Sequence, residues 1–163
     1  FQTKSFDDIW YWLLLAVSWS LTTYWTLGVG NHEARAAQEK GGKYLSNFET
    51  LITMYCDRTS AGVIQYGPPA MLAVSFVLAM LATLGFWFWI LFAQAMFILV
   101  FPLFVTSVVS MVFASRQARN PAEGRELIKR YRKLRLVKQT IGVFAISTAS
   151  FWGAIVTFRL PAI

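Results

Sequence analysis

Few side chains in this 163-residue chain can do chemistry, and their positions narrow what that chemistry can be. There is one histidine, His32, and one cysteine, Cys56. A single imidazole excludes bis-histidine haem ligation within the chain. A single thiol excludes an internal disulfide, a CxxC zinc site and a self-contained iron–sulfur site. His32 follows Gly28-Val29-Gly30-Asn31 and reads either as a surface histidine or as an axial ligand to a pigment or haem. Cys56 sits beside Asp57 and Arg58 with no second thiol near, the setting of a buried, unreactive cysteine. No GxxxxGK[ST], HExxH or GxSxG motif occurs, and Gly28-Val29-Gly30 lacks the third glycine of a dinucleotide fingerprint. The expectation is a non-enzyme with no metal site and no catalytic residue.

The remaining candidate is an amide. Gln94 lies inside a run from Gln65 to Ser115 that holds no Asp, Glu, Lys, Arg or His. It reads either as an interhelical hydrogen bond or as a contact to a quinone or pigment carbonyl. Gln94 and His32 are therefore the candidate cofactor-binding residues. No cofactor is required, although bound lipid, quinone or carotenoid is compatible with the pattern.

The composition says which elements must carry these groups. Apolar residues make up 56% of the chain and charged residues 14%, where a soluble domain carries about a quarter charged. The expected fold class is an all-α membrane protein with four transmembrane helices, a central hairpin and amphipathic cytoplasmic loop helices, forming one domain over 1–163. A span needs about 20 apolar residues, and the expected spans are 9–28, 66–86, 89–114 and 140–158. The long uncharged run is divided at Leu84-Gly85-Phe86-Trp87-Phe88-Trp89, where glycine permits a turn and the tryptophans suit headgroup depth. The first apolar segment lacks the basic flank and cleavage site of a signal peptide, so it is expected to span.

Basic residues orient the spans. Arg35, Lys40, Lys43 and Arg58 fall in the loop 31–65. Nine more fall in 116–138, leaving only Lys4 and Arg159 of the fifteen elsewhere. With four spans both loops share one side, so the positive-inside rule places them in the cytoplasm and both termini in the periplasm of a bacterial cytoplasmic (inner or intracytoplasmic) membrane. Spans without ionisable groups argue against proton pumping, ion-coupled transport and voltage sensing.

Small residues recur every fourth position: Ala16 and Ser20; Ser75, Ala79 and Thr83; Thr106, Ser110 and Ala114; Ala145, Ala149 and Gly153. Such stripes let helix backbones approach closely, either within the bundle or against a foreign helix. Pro102 should kink the third span. Trp19 and Phe151, near span centres, are expected to face lipid, a pigment or a partner helix.

In the first loop, Tyr44, Phe48, Leu51, Ile52 and Tyr55 share one helical face, and Gly41-Gly42 separates them from a polar helix over 33–40. That face either lies on the membrane and caps the bundle, or docks a neighbouring subunit. In the second loop Arg125, Lys129, Arg130, Arg132, Lys133 and Arg135 are the candidate contacts to anionic lipid or an acidic partner, with Leu127, Tyr131 and Leu134 forming an apolar stripe that can continue into the fourth span. No aromatic platform accompanies the charge, so no nucleic-acid partner is expected.

Several segments carry a resemblance: Phe6-Asp7-Asp8-Ile9-Trp10-Tyr11-Trp12, Ala16-Val17-Ser18-Trp19-Ser20, Leu84 to Trp89, Phe92-Ala93-Gln94-Ala95 and Phe151-Trp152-Gly153. Together the chain resembles small four-span alphaproteobacterial inner-membrane proteins often labelled "component of SufBCD complex". The label implies iron–sulfur cluster assembly, which one cysteine does not support. The resemblance also implies a membrane housing photosynthetic or respiratory complexes.

The functional expectation is a non-catalytic accessory subunit of a larger bioenergetic membrane complex, either a reaction centre with its light-harvesting ring or a respiratory complex. It would act through helix packing and contacts to integral membrane subunits and anionic lipids. The alternatives are a carrier or channel for a neutral lipophilic molecule (quinone, carotenoid or lipid) and a membrane-complex assembly factor.

Overall fold

A computed structural model describes residues 9–26 and 29–159, and almost all of them are helical. α1 (Ile9–Tyr24) leads into a two-residue antiparallel pair, β1 (Trp25–Thr26) with β2 (Val29–Gly30). Then follow α2 (Asn31–Lys40), α3 (Gly42–Ala82), a π-helical turn (Thr83–Trp87), α4 (Leu91–Arg119) and α5 (Gly124–Arg159). Three helical stretches are long and apolar enough to cross a membrane: Gly42–Trp87, Leu91–Arg119 and Gly124–Val156. α1 is apolar but has 16 residues, about 24 Å at 1.5 Å per residue.

Two of the helices join a polar half to an apolar half without a break. The amphipathic segment around Phe48 and the apolar segment that follows are one 41-residue helix, α3, which continues through Pro68 and Pro69. Each proline removes one backbone bond, at the carbonyls of Ile64 and Gln65, but its ring already holds a helical φ. The break falls instead at Gly41, whose φ of +56° is a left-handed value that favours glycine. α5 likewise carries Leu127, Tyr131 and Leu134 straight into its apolar half. α4 stays helical through Pro102.

This continuity produces two hydrophobic cores at opposite ends. At the polar end Phe48, Ile52 and Cys56 of α3 pack against Ala114 of α4 and Leu127 and Tyr131 of α5. Phe48 and Tyr131 meet edge to face at 5.4 Å, and the Tyr131 hydroxyl donates to the Val29 carbonyl at 3.1 Å, which fixes the β-pair and α2 to the same core. Glu49 of α3 accepts the backbone N–H of Gly124, so a carboxylate caps the positive end of the α5 dipole. At the α4–α5 connection Gln117 donates to the Ala122 carbonyl at 2.9 Å, and Arg130 reaches the Asn120 carbonyl and Glu126.

At the apolar end Leu15 and Trp19 of α1, Ala95, Ile98 and Leu99 of α4, and Ala145, Ala149 and Val156 of α5 form the second core. Trp19 is 5% exposed, not turned outward as the sequence suggested. The reason is Gly142: a Cβ there would lie 2.8 Å from the Trp19 ring, so the missing side chain makes the seat that the indole fills. Phe151 does point outward, 70% exposed. Tyr11, at the other end of α1, donates to the Ala95 carbonyl at 3.4 Å. α3 stands apart from this core. Leu78 is the one buried residue in its apolar half, and α3 packs there on α4 and the π-turn.

The polar-end core gives a direct test. Burial, with Asp57 adding to it, pushes the Cys56 thiol up to about 11, and the thiolate is the reactive form. At pH 8 the folded protein should alkylate at least about a hundredfold more slowly than the unfolded chain, from ionisation alone. The folded rate should climb about tenfold per pH unit towards pH 10. Iodoacetamide labelling followed by mass spectrometry checks this, and equal rates in the two states would contradict the burial of this face of α3.

Candidate functional site

The single large polar side chain in the apolar half of α4 is fully engaged at both ends. Gln94 is 0% exposed. Its Nε2 donates to the Gly85 carbonyl at 2.8 Å, and its Oε1 accepts the Trp152 indole N–H at 3.0 Å. One amide therefore ties the π-turn to α4 and α4 to α5. Gly85 is required for the approach, since a Cβ there would lie 2.9 Å from the Gln94 backbone nitrogen. The turn also holds Trp89 at a φ of +54°, a costly conformation for a bulky residue. Phe86 packs edge-on against both Trp152 and Phe97, so rings surround the amide.

His32, the other candidate ligand, is exposed on α2 in the polar half, its ring against Gly30. Gln94 lies in the apolar half, so the two are not brought together. Among the described residues no three His, Cys, Asp or Glu side chains come close enough to hold a metal.

The basic residues of α5 divide by face. Arg125, Lys129, Arg132 and Lys133 are exposed, opposite the buried side formed by Leu127, Tyr131 and Leu134. Arg130 is taken up by Glu126, Gln117 and the Asn120 carbonyl. Arg132 and Arg135 also line a small cleft of about 120 Å³ with Arg35 and Gln38 of α2. Arg125 lies 13 residues before Lys138, about 20 Å along the helix axis, so the charges form a column and not a ring at one depth.

The small-residue stripes also divide. Ala145, Ala149 and Gly153 are buried in α5, and Thr106 is buried in α4 beside half-buried Ser110. The hydroxyls of Thr106 and Ser110 bond back to their own helix at Leu103 and Thr106. Ser75, Ala79 and Thr83 are exposed. They share the outer side of α3 with Leu72 at 74% and Phe76 at 71% exposed.

Two spaces lie beside α4. A cavity of about 540 Å³ between α4 and α5 is lined by rings from Phe86, Phe97, Phe101, Phe144 and Trp152, with Pro102 on its wall. A larger groove of about 1070 Å³ separates α3 from α4 and ends at Arg116 and Arg119. Sequence reasoning counted those two arginines only as loop charge. Their signal was the i, i+3 spacing that closes the apolar face running through Leu103, Ser107 and Met111.

Removing the amide should loosen the apolar half measurably. Gln94→Leu leaves the Trp152 N–H and the Gly85 carbonyl without partners, and each interhelical bond contributes about 0.6–1.7 kcal/mol in a bilayer. The expected result is a destabilisation of about 1–3 kcal/mol, seen as a lower melting temperature in detergent. A double-mutant cycle with Trp152→Phe should show a coupling of about 0.5 kcal/mol or more; additive effects would mean that the bond contributes nothing.

Compared with known proteins, the chain matches no family model, no curated protein and no solved structure.

Proposed function

We propose that the chain is a four-span, non-catalytic subunit of a larger bacterial membrane complex, docked on its host through the outer face of α3. The four-span topology rests on three features. α1 lies along the apolar halves of α4 and α5, from Tyr11 at the level of Ala95 to Trp19 at the level of Gly142. Its 16 helical residues reach about 24 Å, short of the roughly 30 Å of hydrocarbon, a mismatch that a locally thinned bilayer accommodates at modest cost. The core that joins α2, α3, α4 and α5 gathers both basic loops at one pole, the pole that the positive-inside rule assigns to the cytoplasm. Both termini are then periplasmic. At that pole the outward column Arg125, Lys129, Arg132 and Lys133 meets anionic headgroups or an acidic partner surface.

The observation that carries the docking proposal is the exposed stripe Ser75, Ala79 and Thr83. Small residues at this spacing let a second backbone approach closely in a bilayer, where association depends on packing and not on expelling water. α5 spends its equivalent stripe inside the chain, whereas among the described residues that of α3 is exposed. Leu72, Phe76 and Met80 flank the stripe as ridges that a partner helix can interlock with. A second reading, a carrier of a neutral lipophilic molecule such as a quinone or carotenoid, draws on the ring-lined cavity between α4 and α5. It requires a stoichiometric ligand that survives purification and is lost when Phe101→Trp fills the space.

Cross-linking in native membranes tests the docking face. In a Cys56→Ala background, Ala79→Cys should form an adduct with a second membrane polypeptide, whereas Phe144→Cys on α5 should not. Ala79→Leu, which removes the close approach, should reduce recovery of that polypeptide by about tenfold or more. Adducts of equal yield from both positions, or none from Ala79→Cys, would remove the basis for this interface.

A further inference from the structure

The groove between α3 and α4 is graded in polarity along its length, and no described residue fills it. At the polar end its walls carry Thr59, Tyr66, Ser115, Arg116 and Arg119, while the rest is apolar apart from Ser107, whose hydroxyl bonds back to the Leu103 carbonyl. Gly62, Gly67 and Ala70 form a low floor on α3, so a chain lying in the groove can approach the helix backbone. Val100 of α4 and Val74 of α3 stand at the far end. From Met111 to Val100 the apolar stretch is about 16 Å deep along the helix axis, close to the roughly 15 Å of hydrocarbon in one leaflet.

The charges at the mouth have no internal explanation. Among the described residues neither Arg116 nor Arg119 has a hydrogen bond or ion pair through its side chain, whereas Arg130 of α5 is paired with Glu126. No carboxylate lines the groove. Asp57, two residues before Thr59, is the acid nearest in sequence to its α3 wall, and it does not line the groove. Two guanidiniums one helical turn apart, with three hydroxyls beside them and an apolar trough below, match an amphiphile with an anionic head.

We propose that this groove is a binding site for one anionic phospholipid, its phosphate held between Arg116 and Arg119 and its acyl chains laid along α3 and α4. The lipid wedges apart the two helices that the π-turn joins at their other end, and so maintains the angle at which α3 presents its outer face. The site lies on the side of α3 opposite Ser75, Ala79 and Thr83, and it does not depend on any partner protein.

Native mass spectrometry of the purified full-length chain tests this without a host complex. Delipidated protein is titrated with phosphatidylglycerol, and in parallel with phosphatidylcholine of the same acyl chains and with inorganic phosphate. The expected result is one retained phosphatidylglycerol per chain, little phosphatidylcholine, and no phosphate adduct at the same concentration. Arg116→Gln with Arg119→Gln should weaken that binding about thirtyfold, roughly fivefold for each charge near a membrane surface. Ala70→Phe, which fills the trough and leaves both arginines, should weaken it by tenfold or more. Lys40→Gln with Lys43→Gln, exposed at the α2–α3 junction and outside the groove lining, should leave it within twofold. Matching circular dichroism across the variants shows that they fold. Equal retention of the two lipids, phosphate binding as tightly as the lipid, or equal losses from the arginine and lysine double variants would each overturn the proposal. A failed cross-link at Ala79 would leave it standing.

Discussion

The apolar half of this molecule depends on satisfying one buried amide. An unpaired polar group away from water costs more than a hydrogen bond gains, so a glutamine at 0% exposure must find partners wherever it is placed. Gln94 finds them in the Gly85 carbonyl and the Trp152 indole. Those two partners decide which elements meet. The carbonyl fixes the π-turn over the start of α4, and so sets α3 antiparallel beside α4. The indole fixes α5 on the other side. With α4 held in the middle, α1 has one seat left, the gap at Gly142 that takes Trp19.

The polar half is organised by a different rule. Water is available there, and α2, α3, α4 and α5 form an ordinary hydrophobic core around Phe48, Ile52, Cys56 and Tyr131. α3 and α5 belong to both halves because neither helix breaks at the boundary. Their polar segments are locked together by the Tyr131 ring against Phe48 and by Glu49 at the Gly124 N–H. Their apolar segments then diverge, with α5 in the bundle and α3 at its edge. The open groove and the exposed outer face of α3 both follow from that divergence.

Much of this was legible in the residues, and what was not has a physical cause. Charge-free runs mark the apolar helices because ionised groups are costly in a bilayer, and the turn at Leu84–Trp89 is marked by its glycine followed by four aromatics. The partners of Gln94 were hidden because a hydrogen bond 58 residues long leaves no periodic trace. The same holds for Gly142, whose role appears only when Trp19 is seen against it. The continuity of α3 was obscured by Pro68 and Pro69, which usually mark a boundary but here cost two backbone bonds within a helix long enough to absorb them. The spacing of small residues revealed which faces permit close packing. It could not say that Ala145, Ala149 and Gly153 are spent internally while Ser75, Ala79 and Thr83 are left outside, because one-dimensional periodicity carries no information about which face is already covered.

We propose that this 18.5 kDa chain works as part of something larger. Isolation from its native membranes in mild detergent, with the particle mass measured and every co-migrating polypeptide identified, addresses that claim directly. The expected result is a particle several times heavier than the chain, with at least one other integral membrane protein in fixed stoichiometry. A particle holding this chain and lipid alone would contradict it.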